Sequence, residues 1–325
     1  MMKRRDFIAL LGSAVTRPSV ARAQSVLPVI GYLSSFSADS NRKFTEAFRG
    51  SLNDAGFLEG RDVTIEYRWA EEGQYEPLRR MAADLASRRV SVIFASPIPA
   101  ALAAKAATET VPIVFAIGSD PVDTGLVASL NRPGGNVTGT TFLSVELGAK
   151  RLELLRELVP DVSSIRLLVN PNNPNAALQS KEMKTATTGL GLDFGVLDAS
   201  SQGDLENVFA KLRERSDALV VSADPFFISH RDQLASLAIQ HAIPTMYYAR
   251  EFVSAGGLVS YASSFDESFR QAATYVARIL QGEKAANLPV IEPTKFELAI
   301  NLKTAKVLGM TVPPTILARA DEVIE

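Results

Sequence analysis

Acidic, amide and hydroxyl side chains recur in this chain immediately after short apolar runs, where a strand hands over to a loop. Asp120 follows the run Ile113 to Ile117 and is held by Pro121. Its carboxylate can pair with a ligand ammonium group, or it can cap a helix predicted over Val122 to Leu130; Ser119 stands beside it. Ser34, Ser35 and Ser96 can hydrogen-bond a carboxylate next to exposed helix N–H groups, although serines so placed also cap helices with no ligand at all. Asn170, Asn172 and Asn173 occupy one loop and can both donate and accept; their Asn-Pro pairs are equally ordinary turn formers. In Asp224-Pro225-Phe226-Phe227 one ring, Phe226, can stack on an apolar or aromatic ligand, with Phe227 expected under the neighbouring helix. Tyr248 and Arg250 follow the next strand. Arg250 can clamp a carboxylate with two parallel bonds, or pair internally with Glu251 or another acid. Trp69, the lone tryptophan, ends a strand and reads as edge packing or cleft lining.

These groups suit binding better than catalysis. The two histidines, His230 and His241, fall on one predicted helix about three turns apart, too far to share a metal. No GxSxG elbow, HExxH or GxxxxGK[ST] occurs. Gly189-Leu190-Gly191 sits at a helix-to-strand turn, the wrong place for a dinucleotide loop. No catalytic residue, metal or cofactor is expected. A hydrolase using Asp120 or Asp224 would need a partner base or metal that the chain does not offer.

The elements that must hold these residues follow from β-branched runs alternating with helical patterns, the signature of βαβ units. Strands are predicted at Val29 to Leu33, Val63 to Trp69, Val90 to Ala95, Ile113 to Ile117 and Asn136 to Phe142. After a helix through Leu147 to Leu158 the plan repeats, with strands at Ile165 to Val169, Leu192 to Leu197, Ala218 to Val221, Thr245 to Tyr248 and Leu258 to Tyr261. The fold class is therefore α/β, two doubly wound parallel-sheet lobes joined by a hinge. Ligands of such sheets bind beyond the carboxyl ends of the strands, so all the loops above converge if the lobes face one another.

Lys3, Arg4 and Arg5, a short apolar run to Val15 and the small-x-small Ala21-Arg22-Ala23 read as an export signal over residues 1–23. The adjacent arginines before x-Phe-Ile resemble a twin-arginine signal. Without that segment 29 basic residues stand against 35 acidic ones, a net charge of −6. A mildly acidic surface argues against nucleic acid or anionic membrane as a partner. The absence of cysteine removes disulfides, thiolate metal sites and a lipid-bearing cysteine. A soluble periplasmic receptor for a small solute, acting as a monomer and without membrane insertion, is the expectation.

Seven blocks in one order carry a family resemblance: PVIGYLSS at 28–35, IEYRWAEEGQY at 65–75, GSDPVDTGLVASLNRPGGNVTG at 118–139, KRLELLRELVP at 150–160, LVNPNNPNA at 168–176, ADPFF at 223–227 and PTKFELAINLKTAKVLG at 293–309. Over nearly its whole mature length the chain resembles the ABC-transporter substrate-binding proteins of the tryptophan/tyrosine-type family. The resemblance implies a periplasmic-binding-protein fold with three interlobe crossovers, no enzymatic activity, and delivery of a captured small-molecule solute to an ABC permease in the inner membrane. An amino acid with an aromatic or apolar side chain fits the serines, asparagines, carboxylates and rings together. A periplasmic sensor signalling to a membrane receptor is the alternative. The expected division is residues 24–144 plus 262–283 in the first lobe and 145–261 plus 284–325 in the second, hinged near 143–146, 261–265 and 282–290.

Overall fold

The computed structural model describes residues 27–70, 74–212 and 217–325; the export signal read at 1–23 lies outside them. The chain opens with β1 (Val29–Ser34), α1 (Arg42–Asp54), β2 (Thr64–Trp69), α2 (Pro77–Ser87), β3 (Val92–Ser96), α3 (Ile98–Ala107), β4 (Ile113–Ile117) and β5 (Val137–Thr141). It continues through α4 (Gly148–Leu158), β6 (Ser164–Val169), α5 (Ala176–Gly189), β7 (Asp193–Asp198), α6 (Gln202–Phe209) and β8 (Asp217–Val221). Next come α7 (Pro225–Ser229), α8 (Arg231–Gln240), β9 (Thr245–Tyr247), α9 (Arg250–Ser254), β10 (Val259–Ala262) and α10 (Phe265–Leu280). It ends with β11 (Glu297–Asn301), α11 (Leu302–Val307), α12 (Pro314–Leu317) and β12 (Glu322–Ile324).

Two sheets result, in the orders β2-β1-β3-β4-β5 and β12-β11-β10-β9-β8-β6-β7. The first is parallel throughout. From β7 to β10 the second repeats the same order, and β11 then joins antiparallel to β10. Central strands covered by helices on both faces must be apolar on both, and β3 and β4 are buried at every position. Helix α1 buries Phe44, Phe48 and Leu52, four residues apart, and packs against α10. Among the described residues no helix is long and apolar enough to cross a membrane, and no cluster of acidic or histidine side chains could hold a metal ion.

The chain passes between the sheets after β5, after β10 and before β11. Residues 284 to 291, expected with the second lobe, instead lie along β5. Leu288 O accepts from Thr138 Oγ1 at 2.6 Å, and Ile291 N donates to Gly139 O at 3.0 Å. β5 is an edge strand with open backbone groups, which this segment satisfies. The third crossing accordingly falls at 292–296. A second difference concerns Val122 to Leu130, where no helix forms. Gly125 adopts φ +71° and Leu126 N returns to Pro121 O at 2.8 Å, closing a turn. The histidines flank α8 as its two cap positions.

Candidate functional site

In each sheet the strand order reverses between the first and third strands, β1 and β3 in one lobe and β6 and β8 in the other. Such a reversal leaves a crevice beyond the strand ends. Ser34, Ser35 and Ser96 lie at the first crevice; Asn170, Asn173 and Asp224 lie at the second. Between the lobes is a cavity of about 30 Å³. Phe36, Ile98, Phe142 and Phe265 wall it from the first lobe, and Asn173 and Tyr248 from the second. Phe142 and Phe265 stand with ring centroids 4.3 Å apart. A Cβ at Gly118 would come within 2.7 Å of the Phe142 ring, so glycine lets that ring approach the strand end.

Asp224 is 2% exposed and caps α7. Its Oδ2 accepts from Asn173 Nδ2 at 2.6 Å and from Tyr75 Oη at 2.8 Å. Its Oδ1 accepts from Phe226 N at 2.8 Å and Asn170 Nδ2 at 3.1 Å. Four donors thus fill the roughly four lone-pair positions of a carboxylate. Burial pushes the Asp224 carboxyl above its ordinary pKa, against the pull of the bonds from Asn173, Tyr75 and Asn170. Burial, with the Asp224 charge next, likewise holds the Tyr75 and Tyr248 phenols well above the usual range. The Tyr248 hydroxyl donates to Asp224 O at 2.6 Å. The remaining amide oxygens are also engaged: Asn170 Oδ1 accepts from Asn172 N at 3.1 Å, and Asn173 Oδ1 from Asn175 N at 2.8 Å.

The first lobe is arranged differently. Ser34 Oγ accepts from Phe36 N at 3.1 Å and Ser96 Oγ donates to Ala116 O at 2.8 Å. The Ser35 and Ser119 hydroxyls, in residues 1% and 0% exposed, have no hydrogen-bond partner among the described residues. Both stand one residue from the cavity wall, beside Phe36 and Gly118. A buried unpaired hydroxyl is costly unless something supplies its partner.

Other predicted site residues lie away from the cavity. Asp120 Oδ1 caps its turn, accepting from Val122 N at 2.6 Å, and its backbone N–H is held by Glu146 Oε1 at 2.7 Å. Arg250 pairs with Glu322 on β12 at 2.9 Å, not with Glu251, and lines an outer groove of the cleft. Asn172 is exposed in a separate pocket of about 680 Å³ that Tyr75 also lines, where the buried Phe226 contributes to the wall while packing on His230 at 4.3 Å. Phe227 is fully buried. Trp69 stacks on Tyr67 at 5.6 Å at the sheet edge.

Two residues not singled out from the sequence are central. Tyr75 lies in the connection from β2 to α2, six residues past Trp69, and reaches Asp224 across the cleft. Arg151 on α4 is 3% exposed, and burial lowers its pKa to about 9. Its Nε donates to Tyr261 O at 2.8 Å and its Nη1 to Ser144 O, at the two neighbouring crossovers. Neither lies in a pattern that marks a site; each falls within a block that carries the family resemblance, IEYRWAEEGQY and KRLELLRELVP.

A family model described as ABC transporter substrate binding protein matches residues 30–324. A tyrosine-binding protein of Clostridioides difficile (strain R20291) is 27% identical over 269 residues, covering 82% of this chain and 77% of that protein. The structure of an ABC domain in complex with L-Trp from Streptococcus pneumonia overlays with a TM-score of 0.81 at 26% identity, covering 92% of this chain and 100% of that one. A ligand-free, open structure of a substrate binding protein with adhesive properties from Clostridium difficile, 25% identical, covers 92% and 99% with a TM-score of only 0.65.

Proposed function

Because the chain belongs to the ABC transporter substrate-binding protein family, matching its model over residues 30–324, we propose that it captures an amino acid with an aromatic side chain between its lobes. The protein is the non-enzymatic substrate-binding component of an ABC importer, and a permease is its partner. The observation that carries the ligand reading is the pair of buried, unpartnered hydroxyls, Ser35 and Ser119, beside a cavity walled by Phe36, Phe142, Phe265 and Tyr248. Hydroxyls suit a ligand's polar end and rings suit an aromatic side chain. The tyrosine-binding relative and the L-Trp complex support the same class.

On this reading the first lobe receives the solute and the second closes over it. Ser34, Ser96, Asn170 and Asn173 shape the crevices through their own hydrogen bonds. Asp120, Asn172 and Arg250 stay outside the contact set. A cavity of about 30 Å³ holds no amino acid, so entry requires the lobes to separate. The working location is the periplasm, reached through the signal at 1–23, with delivery by the monomer to an inner-membrane permease.

Isothermal titration of the mature protein with L-tyrosine, L-tryptophan, L-leucine, L-glutamate and glucose tests this. Saturable binding of the aromatic amino acids, with the others weaker by tenfold or more, is expected. Preference for glucose or L-glutamate would overturn it.

A further inference from the structure

The Asp224 carboxylate is met from two sides. Asn170 Nδ2, Asn173 Nδ2 and Phe226 N belong to the second lobe, whereas the Tyr75 hydroxyl comes from the first, 149 residues away in sequence. Asn170 Nδ2 also approaches Tyr75 Oη at 3.4 Å. Three donors are therefore fixed to Asp224 within its own lobe, and the fourth arrives only when the lobes meet. A carboxylate with all its acceptor positions filled by protein has none left for a ligand ammonium group.

We propose that Tyr75 and Asp224 form the latch of the closed conformation: Tyr75 is a positioning residue that sets how long a solute is held, without contacting it. This rests on the solute-binding reading above for its ligand arm only. Opening breaks a hydrogen bond to a buried carboxylate, a bond of the charge-assisted kind, and leaves one acceptor position of Asp224 to water. Asp224 lines the cavity with its acceptor positions filled and Tyr75 lines the neighbouring pocket, so the latch acts on closure for any solute the first lobe accepts. The Ser229 Oγ to Ser40 Oγ hydrogen bond of 3.0 Å also crosses the cleft, but joins two neutral hydroxyls.

The test compares the mature protein with its Tyr75→Phe variant, which keeps the ring and removes the hydroxyl. L-Tyrosine and L-tryptophan dissociation is followed by stopped-flow displacement, and the ligand-free shape by small-angle scattering. Tyr75→Phe is expected to raise both dissociation rates on the order of tenfold, to leave association rates within about twofold, and to preserve the ratio of the two affinities. Its ligand-free radius of gyration should exceed that of the wild type. Unchanged dissociation and an unchanged radius in a variant of wild-type melting temperature would overturn the latch. A changed affinity ratio would also overturn it, by making Tyr75 a ligand contact. If the wild type binds neither amino acid, the solute reading fails, and the comparison of radii still decides the latch.

Discussion

Arg151 donates from Nε to the carbonyl of Tyr261 at 2.8 Å, tying α4 of the second lobe to the strand end from which the chain crosses back to the first. Its Nη1 holds Ser144 O in the neighbouring crossover, and Ser263 Oγ joins the two by donating to Phe142 O at 2.8 Å. The Nη2 is buried with no hydrogen-bond partner among the described residues. A buried guanidinium held by carbonyls is dearly desolvated, as the lowering of its pKa to about 9 records.

Arg151→Met removes the donors to both carbonyls. Hydrogen bonds to charged groups contribute about 1.5–3 kcal/mol each, offset here by the relief of desolvation. A net loss of about 2 kcal/mol is expected, a fall in melting temperature of roughly 4–8 °C, read by calorimetry. An unchanged melting temperature would remove Arg151 from any role at the crossovers.

Ser35→Ala and Ser119→Ala each delete a hydroxyl that is unpartnered among the described residues. Stability of the ligand-free form should hold or rise slightly. Affinity for L-tyrosine or L-tryptophan should fall about three- to tenfold per variant, the worth of one neutral hydrogen bond. Titration calorimetry beside thermal melts separates the two effects, and full affinity in both variants would leave the hydroxyls outside the site.

Asp120→Ala should cost stability and not affinity. Its carboxylate accepts from Val122 N and Asp123 N within a turn, at 2.6 and 3.3 Å. Loss of hydrogen bonds of this kind costs about 0.5–1.5 kcal/mol each. A hundredfold drop in binding would instead make it the ammonium partner.

Glu251 carries a sign that can be read by pH. Burial raises its pKa above the ordinary value, while Lys43, 3.5 Å away across the cleft, and Arg250 pull it down and Asp266 pushes it up. A carboxyl raised on folding contributes stability that is fully present below the unfolded value, about 4.3, and is lost as pH rises through the folded one. The melting-temperature difference between wild type and Glu251→Gln should therefore shift against the wild type as pH rises across that window. Melts between pH 4 and 7 check it; a difference that moves the other way would show the Lys43 contact outweighing burial.

Most of the fold could be read from the chain because its information is local. A central strand such as Ile113 to Ile117 must be apolar on both faces, and α1 must repeat Phe44, Phe48 and Leu52 at helical spacing. The family blocks are equally a matter of residue order. Val122 to Leu130 failed because Gly125 closes a turn that helical spacing alone does not exclude.

The site needed the tertiary structure. Chain order placed Ser35, Ser119 and Asp224 at strand ends, but which hydroxyls lack a partner and which carboxylate is saturated depends on neighbours distant in sequence. Tyr75 meets Asp224 only because two crevices face one another, and Arg151 matters only because two crossovers pass beside α4. Such contacts leave no periodicity or spacing in the sequence, since hydrogen bonds across a cleft are set by how whole lobes pack, not by what stands next in the chain.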